Sequence, residues 1–141
     1  MDINQIIRKL KADGTGESLR PVWDAGLECV YLPALECYLD PDSLAIGPLS
    51  WDDAAQEAQR RGGRLASREE MTVVALQKDA VDDLLKRHSP RTLSGLDGPL
   101  WSSTIHAPGL AWCVSLRGGE MTWAPLSDGK EALIVRNFNK K

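Results

Sequence analysis

The stretch that decides the fold is residues 49–70, which reads LSWDDAAQEAQRRGGRLASREE. Ser50 is a good N-cap for a helix over residues 51–61, and two glycines end that helix at 62 and 63. Ser67 and Glu70 then form a complete capping box, which predicts a second helix that begins almost at once. The first helix has an apolar stripe of mostly small side chains, so we expect it to lie close to a sheet.

Working outward, the pattern predicts further helices and short strands. The second helix continues toward about Arg87, with a break near Asp79. Residues 22–47 are rich in strand-forming side chains, and Pro33 marks a strand edge or a break. Near the N-terminus, residues 2–12 form a short amphipathic helix, which we expect to pack on the main body.

The last third of the chain favours β-structure. Gly118-Gly119 predicts a two-residue hairpin between two of the strands. The four candidate strands are Leu100–Ser103, Leu110–Arg117, Glu120–Ala124 and Glu131–Phe138. The order of elements predicts an α+β protein in which two helices pack against a curled antiparallel sheet. Residues 1–16 are an extra N-terminal helix with a linker, and residues 17–141 form one domain.

Composition excludes several classes of function. A length of 141 residues fits one domain, and a formal net charge of -3 argues against a general nucleic-acid binder. No apolar run is long enough to span a membrane and the N-terminus lacks a signal-peptide core, so we expect a cytoplasmic protein. The three cysteines form neither a CxxC pair nor a cluster with histidine. No metal site and no cofactor is therefore predicted.

Two regions carry a resemblance to a known family. The first-helix segment, from Leu49 through Ser67 to Glu70, resembles the corresponding region of C-type-lectin-like domains. The later half is similar to a group of bacterial and phage domains of unknown function with the pattern W-S-S-T…A-W…G…V-R. Its matching residues are Leu100 to Thr104, Ala111 to Leu116 with Gly119, and Val135 to Phe138. The resemblance covers roughly residues 45–138 and implies a C-type-lectin-like fold in a phage or prophage protein.

The chain departs from the sugar-binding members of that family. The Glu-Pro-Asn, Gln-Pro-Asp and Trp-Asn-Asp triplets of calcium-dependent lectins are absent, and Trp123-Ala124-Pro125 lacks the necessary oxygen ligands. The usual first-helix cysteine is missing, since Ala58 and Gln59 occupy that region. Formylglycine-generating enzymes share the scaffold but use reactive cysteines in a longer chain, and Cys113 alone does not carry that activity over. The resemblance therefore implies the scaffold without its calcium site.

Loops on a rigid scaffold commonly carry binding, which points to loops 88–110 and 124–130. Tryptophan and arginine are also the residues most typical of interface anchors. Packing in the core is the main role expected of Trp101, Trp112 and Trp123, which recur in three consecutive strands. The predicted binding residues are Trp101, His106, Arg117, Glu120, Trp123, Lys130 and Arg136.

The favoured function is non-catalytic protein binding, as a virion or tail component or as a host-interaction or anti-defence factor. A calcium-independent binder of a glycan or small molecule is the alternative. An enzyme is disfavoured, since Ser102, Ser103 and His106 lack a Gly-x-Ser-x-Gly elbow and Cys113 is expected to be a buried, inert thiol. We expect a protein partner, and the N-terminal helix leaves open a homo-oligomer. The expected location is the cytoplasm of a bacterial host, and incorporation into a virion stays open.

Overall fold

The computed structural model describes residues 2–14, 17–96 and 98–137. Phe138 of the predicted last strand, linker residues 15 and 16, and Asp97 of the predicted binding loop lie outside these ranges. The described helices are α1 Ile3–Asp13, α2 Trp51–Arg60, α3 Arg68–Leu76 and α4 Lys78–His88. The described strands are β1 Val22–Asp24, β2 Cys29–Leu32, β3 Cys37–Leu39, β4 Arg64–Leu65, β5 Leu100–Ala107, β6 Leu110–Val114, β7 Met121–Pro125 and β8 Ile134–Arg136. The prediction of an α+β protein is confirmed.

The strands form two sheets. Strands β5, β6 and β7 form a three-stranded antiparallel meander, and the other five are ordered β1-β2-β3-β8-β4. The four candidate strands of the last third therefore do not form one sheet, which corrects the prediction of a single curled antiparallel sheet. Strand β8 leaves the meander and pairs with β3 on one side and β4 on the other. The buried run Leu133-Ile134-Val135 explains this, since a strand covered on both faces needs continuous apolar residues.

The helices begin and end close to the predicted positions. The Asp2 carboxylate accepts the Gln5 N–H at 2.9 Å and so caps α1. The break between α3 and α4 falls at Gln77, whose buried side chain donates to the carbonyl of Leu19 at 2.9 Å. Among the described residues, no helix is both long and apolar enough to cross a bilayer.

Three hairpin loops hold a residue in the left-handed backbone region close to their second strand. The four-residue β1–β2 and β2–β3 loops end at Glu28, with φ of 53°, and Glu36, with φ of 52°, whereas the six-residue β6–β7 loop has Gly119, with φ of 74°, as its next-to-last residue. In the β6–β7 loop, the Ser115 N–H donates to the Glu120 carbonyl at 2.8 Å. The predicted two-residue turn at Gly118-Gly119 was wrong, because such a turn usually needs positive φ at its first residue and Gly118 does not have it.

The core consists of buried clusters on either side of the three-stranded sheet. The first cluster joins α3 and α4 to β2 and β3, with Leu100 and Val114 from the meander. The second packs Ala54 and Ala58 of α2 against Trp101. Small side chains on α2 thus allow the close helix–sheet approach that the sequence predicted. Helix α1 packs on α3 through a third, smaller cluster.

Candidate functional site

The two faces of the meander are covered to different extents. On one face, Trp101, Cys113 and Ala124 are buried against α2. Successive strand residues point to opposite faces, so Trp112 and its cross-strand partner Trp123 lie on the other face. Helix α3 covers only the part of that second face nearest to Val114. The remainder is exposed to solvent.

Three aromatic rings meet on this exposed part. The His106 imidazole stacks on the Trp123 indole, with ring centroids 4.3 Å apart and planes 17° from parallel. The same imidazole meets Trp112 edge-on at 4.7 Å, and the two indoles form a T-shaped pair at 5.4 Å. These are the favourable geometries for aromatic pairs. Each ring therefore restricts the other two, although Trp123 is 50% exposed.

Arg68 completes the arrangement from the first turn of α3. Its guanidinium carbon lies 4.7 Å from the centroid of the Trp112 ring, a cation–π distance. Its backbone N–H donates to Thr104 Oγ1 at 2.9 Å, which ties the start of α3 to β5. Its Nε donates to Glu69 at 3.0 Å. A guanidinium has five N–H groups, so donors remain for a partner.

We call Arg68, His106, Trp112 and Trp123 the aromatic surface. Met121, which is 42% exposed, lies on the same face of β7 as Trp123 and extends the surface along the strand. The arrangement offers a large apolar contact area, held in place by ring packing, beside a cation with unused donors. It suits recognition of an apolar group next to a hydrogen-bond acceptor.

The structure brings together only two of the seven predicted binding residues, His106 and Trp123. Trp101 has no exposed surface, and its Nε1 donates to the Leu49 carbonyl at 2.8 Å, so it belongs to the core. Lys130 lies on the opposite face of the meander, with its Nζ 5.9 Å from the centroid of the Trp101 ring. Arg136 lies in the five-stranded sheet, where it donates to the buried Asp40 carboxylate at 2.5 Å.

Arg117 and Glu120 lie in the loop between β6 and β7. Arg117 lines a cavity beside α4, and Glu120 is exposed. The two predicted binding loops are also shorter than expected. Strand β5 extends to Ala107 and β7 to Pro125, which leaves Pro108-Gly109 as the connection between β5 and β6. Strand faces, not long loops, therefore present the exposed aromatic side chains.

Sequence reasoning missed the parts played by Arg68 and Trp112. Arg68 is absent from the predicted binding residues, and core packing was expected to account for most of the role of Trp112. The alternation in β6 predicts the position of Trp112. It stands between small Ala111 and Cys113 and so lies on the opposite face of the strand from them. Nothing in the local sequence indicated that α3 would stop short of covering it.

The residues considered for catalysis have structural roles. The buried Ser102 hydroxyl donates to the Trp112 carbonyl at 2.7 Å and accepts the Thr104 N–H at 3.1 Å. Among the described residues, no hydrogen bond joins His106 to Ser102 or Ser103. Burial raises the pKa of the Cys113 thiol above its usual value. Within the same ranges, no three His, Cys, Asp or Glu side chains converge as a metal site would require.

No model of a protein family matches the chain, and no curated protein does. Its function is therefore inferred from the geometry of the described residues.

Proposed function

We propose that the chain is a non-catalytic recognition module that binds a protein partner through the aromatic surface. The observation that carries this proposal is the half-exposed Trp123 indole, held between an imidazole and a second indole. Tryptophan and arginine dominate the energetics of protein interfaces, especially where neighbouring groups hold them rigid. A rigid anchor loses little conformational entropy when a partner binds.

The scaffold proposed for this module is C-type-lectin-like. Two antiparallel sheets with α2 and α3 packed against them are compatible with that fold. The three rings of the aromatic surface lie on the meander, and the resemblance covers both that sheet and Arg68 of α3. The phage or prophage origin that the resemblance implies stays a prediction.

The state of the nucleophilic candidates supports a non-catalytic role. The Ser102 hydroxyl is engaged with backbone groups, and all three thiols are buried. A nucleophile needs exposure and an activating base or a lowered pKa, whereas burial raises the pKa of Cys29 to about 11 and that of Cys37 to about 12.

The partner we expect offers an apolar side chain to Trp123 and a carboxylate or carbonyl to the free N–H groups of Arg68. The test is capture of partners from a bacterial lysate by the wild-type chain, Trp123→Ala and Val22→Ala. Val22 is a matched control, because it is 53% exposed but lies in β1 of the other sheet. A specific partner should be lost with Trp123→Ala, at a cost of about 2 kcal/mol in binding, and kept with Val22→Ala.

Circular dichroism of each variant establishes that the fold is intact before binding is compared. A partner that binds wild type and Trp123→Ala equally would contradict the proposal. If no protein is captured, saturable quenching of tryptophan fluorescence by a disaccharide, abolished in Trp123→Ala, would instead favour the calcium-independent glycan binder.

A further inference from the structure

A second candidate site lies away from the aromatic surface, between α4, the Leu93–Gly95 turn and the β6–β7 loop. It is a cavity of about 200 Å³. Its polar groups are Lys78, Ser94, Ser115 and Arg117, and its apolar lining includes Leu93 and Leu116. We call it the Lys78–Arg117 cavity.

The neighbours of Lys78 orient its ammonium group but occupy only part of its hydrogen-bonding capacity. It donates to Ser94 Oγ at 2.8 Å and lies 3.9 Å from Asp82 Oδ2. Asp82 is 4% exposed, and its carboxylate accepts the N–H groups of Leu93 and Ser94 and the Ser94 hydroxyl. Asp82 is therefore committed to the turn. Two of the three Lys78 N–H groups remain available.

Arg117 stands at the same cavity with an exposed side chain. Within the described residues it forms no ion pair, and the nearby Glu120 is not within salt-bridge distance of it. No described acidic side chain lines the cavity. Among the described residues, the lining therefore holds two cations and two hydroxyls, and Asp82 partly compensates the charge of Lys78 while that of Arg117 has no ion-pair partner.

From this convergence of donors we infer that the Lys78–Arg117 cavity binds a small organic oxyanion. A carboxylate or phosphate group would accept from Lys78 and Arg117, and the Ser115 hydroxyl lies in the same lining. The Ser94 hydroxyl donates to Asp82 and so positions Lys78 instead of contacting the ligand as a donor. Hydrogen bonds from charged donors to an oxyanion are about twice as strong as neutral ones. The leucine side chains would contact the apolar part of the ligand. The volume is below the ~300–1,000 Å³ of drug-sized pockets, so the ligand is smaller than those.

The experiment is a titration of the ¹⁵N-labelled full chain, followed by amide chemical shifts. The probes are inorganic phosphate, acetate and benzoate, each added at constant ionic strength set with chloride. We expect saturable shifts centred on Lys78, Ser94 and Ser115. Saturation by phosphate identifies the phosphate class. Tighter binding of benzoate than of acetate identifies a carboxylate with an apolar group.

Three variants make the titration decisive. Arg117→Gln and Lys78→Gln should each weaken binding about tenfold or more, because each removes a charged donor. Lys86→Gln removes the same charge from the exposed side of the same helix and should bind like wild type. The inference is overturned if none of the probes saturates, or if Lys86→Gln weakens binding as much as the two cavity variants do. The aromatic surface shares no residue with this cavity, so this result and the partner test stand independently.

Discussion

Gly62 and Gly63 follow α2 and are needed for different physical reasons. Gly62 has φ of 79°, the left-handed region that commonly ends a helix, and a Cβ added there would meet no other part of the described structure within 4 Å. Gly63 lies against β8. A Cβ there would stand 2.5 Å from the Val135 carbonyl oxygen and 2.9 Å from Ile134 Cγ2. The first glycine meets a conformational requirement and the second a requirement for space.

Substitution at these two positions should therefore differ in cost. Gly63→Ala places a methyl group against the backbone of β8, which is held in its sheet and cannot move aside as a flexible side chain could. We expect a loss of about 2–3 kcal/mol in the free energy of unfolding. Gly62→Ala leaves the packing intact and should cost only about 1 kcal/mol, the penalty for a left-handed alanine. Urea denaturation of both variants measures the difference. Equal costs would show that β8 does not approach Gly63 as closely as described.

At the scale of the element, α3 begins with a capping box that also contains an ion pair. Glu70 accepts the Ser67 N–H at 2.8 Å, and its two oxygens accept from Arg64 at 2.6 and 2.8 Å. Burial by itself raises the pKa of the Glu70 carboxyl, but the hydrogen bonds from Arg64 and Ser67 outweigh it and hold the pKa below its usual value. The folded state therefore favours the charged form of Glu70.

This makes the contribution of Glu70 dependent on pH. Unfolded glutamate titrates near pH 4.3, so the stabilisation is complete above about pH 5 and is lost as the pH falls through the lower folded pKa. Glu70→Gln should reduce the free energy of unfolding at pH 7 by about 1 kcal/mol, since Arg64 is partly exposed. The deficit relative to wild type should shrink on acidification toward about pH 3.

A double-mutant cycle with Arg64→Gln separates the ion pair from the cap. At pH 7 the double variant should lose less free energy of unfolding than the sum of the two single losses, because each substitution removes the same charged contact. Strictly additive effects, together with a deficit in Glu70→Gln that does not change with pH, would contradict the assignment.

The same scale shows what the sequence predicts well. The helices follow from local signals such as Ser50, Ser67 and Asp2, and each of these side chains makes the capping bond that its position predicted. The sequence did not predict the sheet to which β8 belongs, because pairing with β3 and β4 depends on residues about 70 to 100 positions away. Local periodicity carries no information about that choice.

At the scale of the whole molecule, the candidate site depends on which surfaces the helices leave uncovered. Trp101 and Trp123 lie in similar strand patterns, yet one is fully buried and the other is half exposed. The difference arises because α2 packs over one face of the meander while only the first turn of α3 reaches Trp112 on the other. Exposure is a property of the assembled layers, which the local sequence does not show. The predicted binding residues therefore lie on different faces and in different sheets.

The cysteines provide a test of whether those layers act as one cooperative unit. Cys37 is buried in the cluster beneath α3 and α4, Cys113 in the cluster beneath α2, and Cys29 in the five-stranded sheet. Burial raises the pKa of all three thiols, so both access and thiolate formation require opening of the surrounding structure. In the native protein we expect a thiol reagent to modify none of them on the timescale on which it modifies all three in urea.

The relative rates at which the three sites are modified then report on cooperativity. If the two sheets and both large clusters unfold together, Cys37 and Cys113 should react at the same slow rate, as measured by mass spectrometry of digested samples. Faster modification of Cys113 would mean that the α2–meander layer opens by itself, and the aromatic surface would then lie on the less stable layer. Prompt reaction of Cys113 in the folded protein, without any opening step, would contradict its burial and would reopen the enzyme hypothesis.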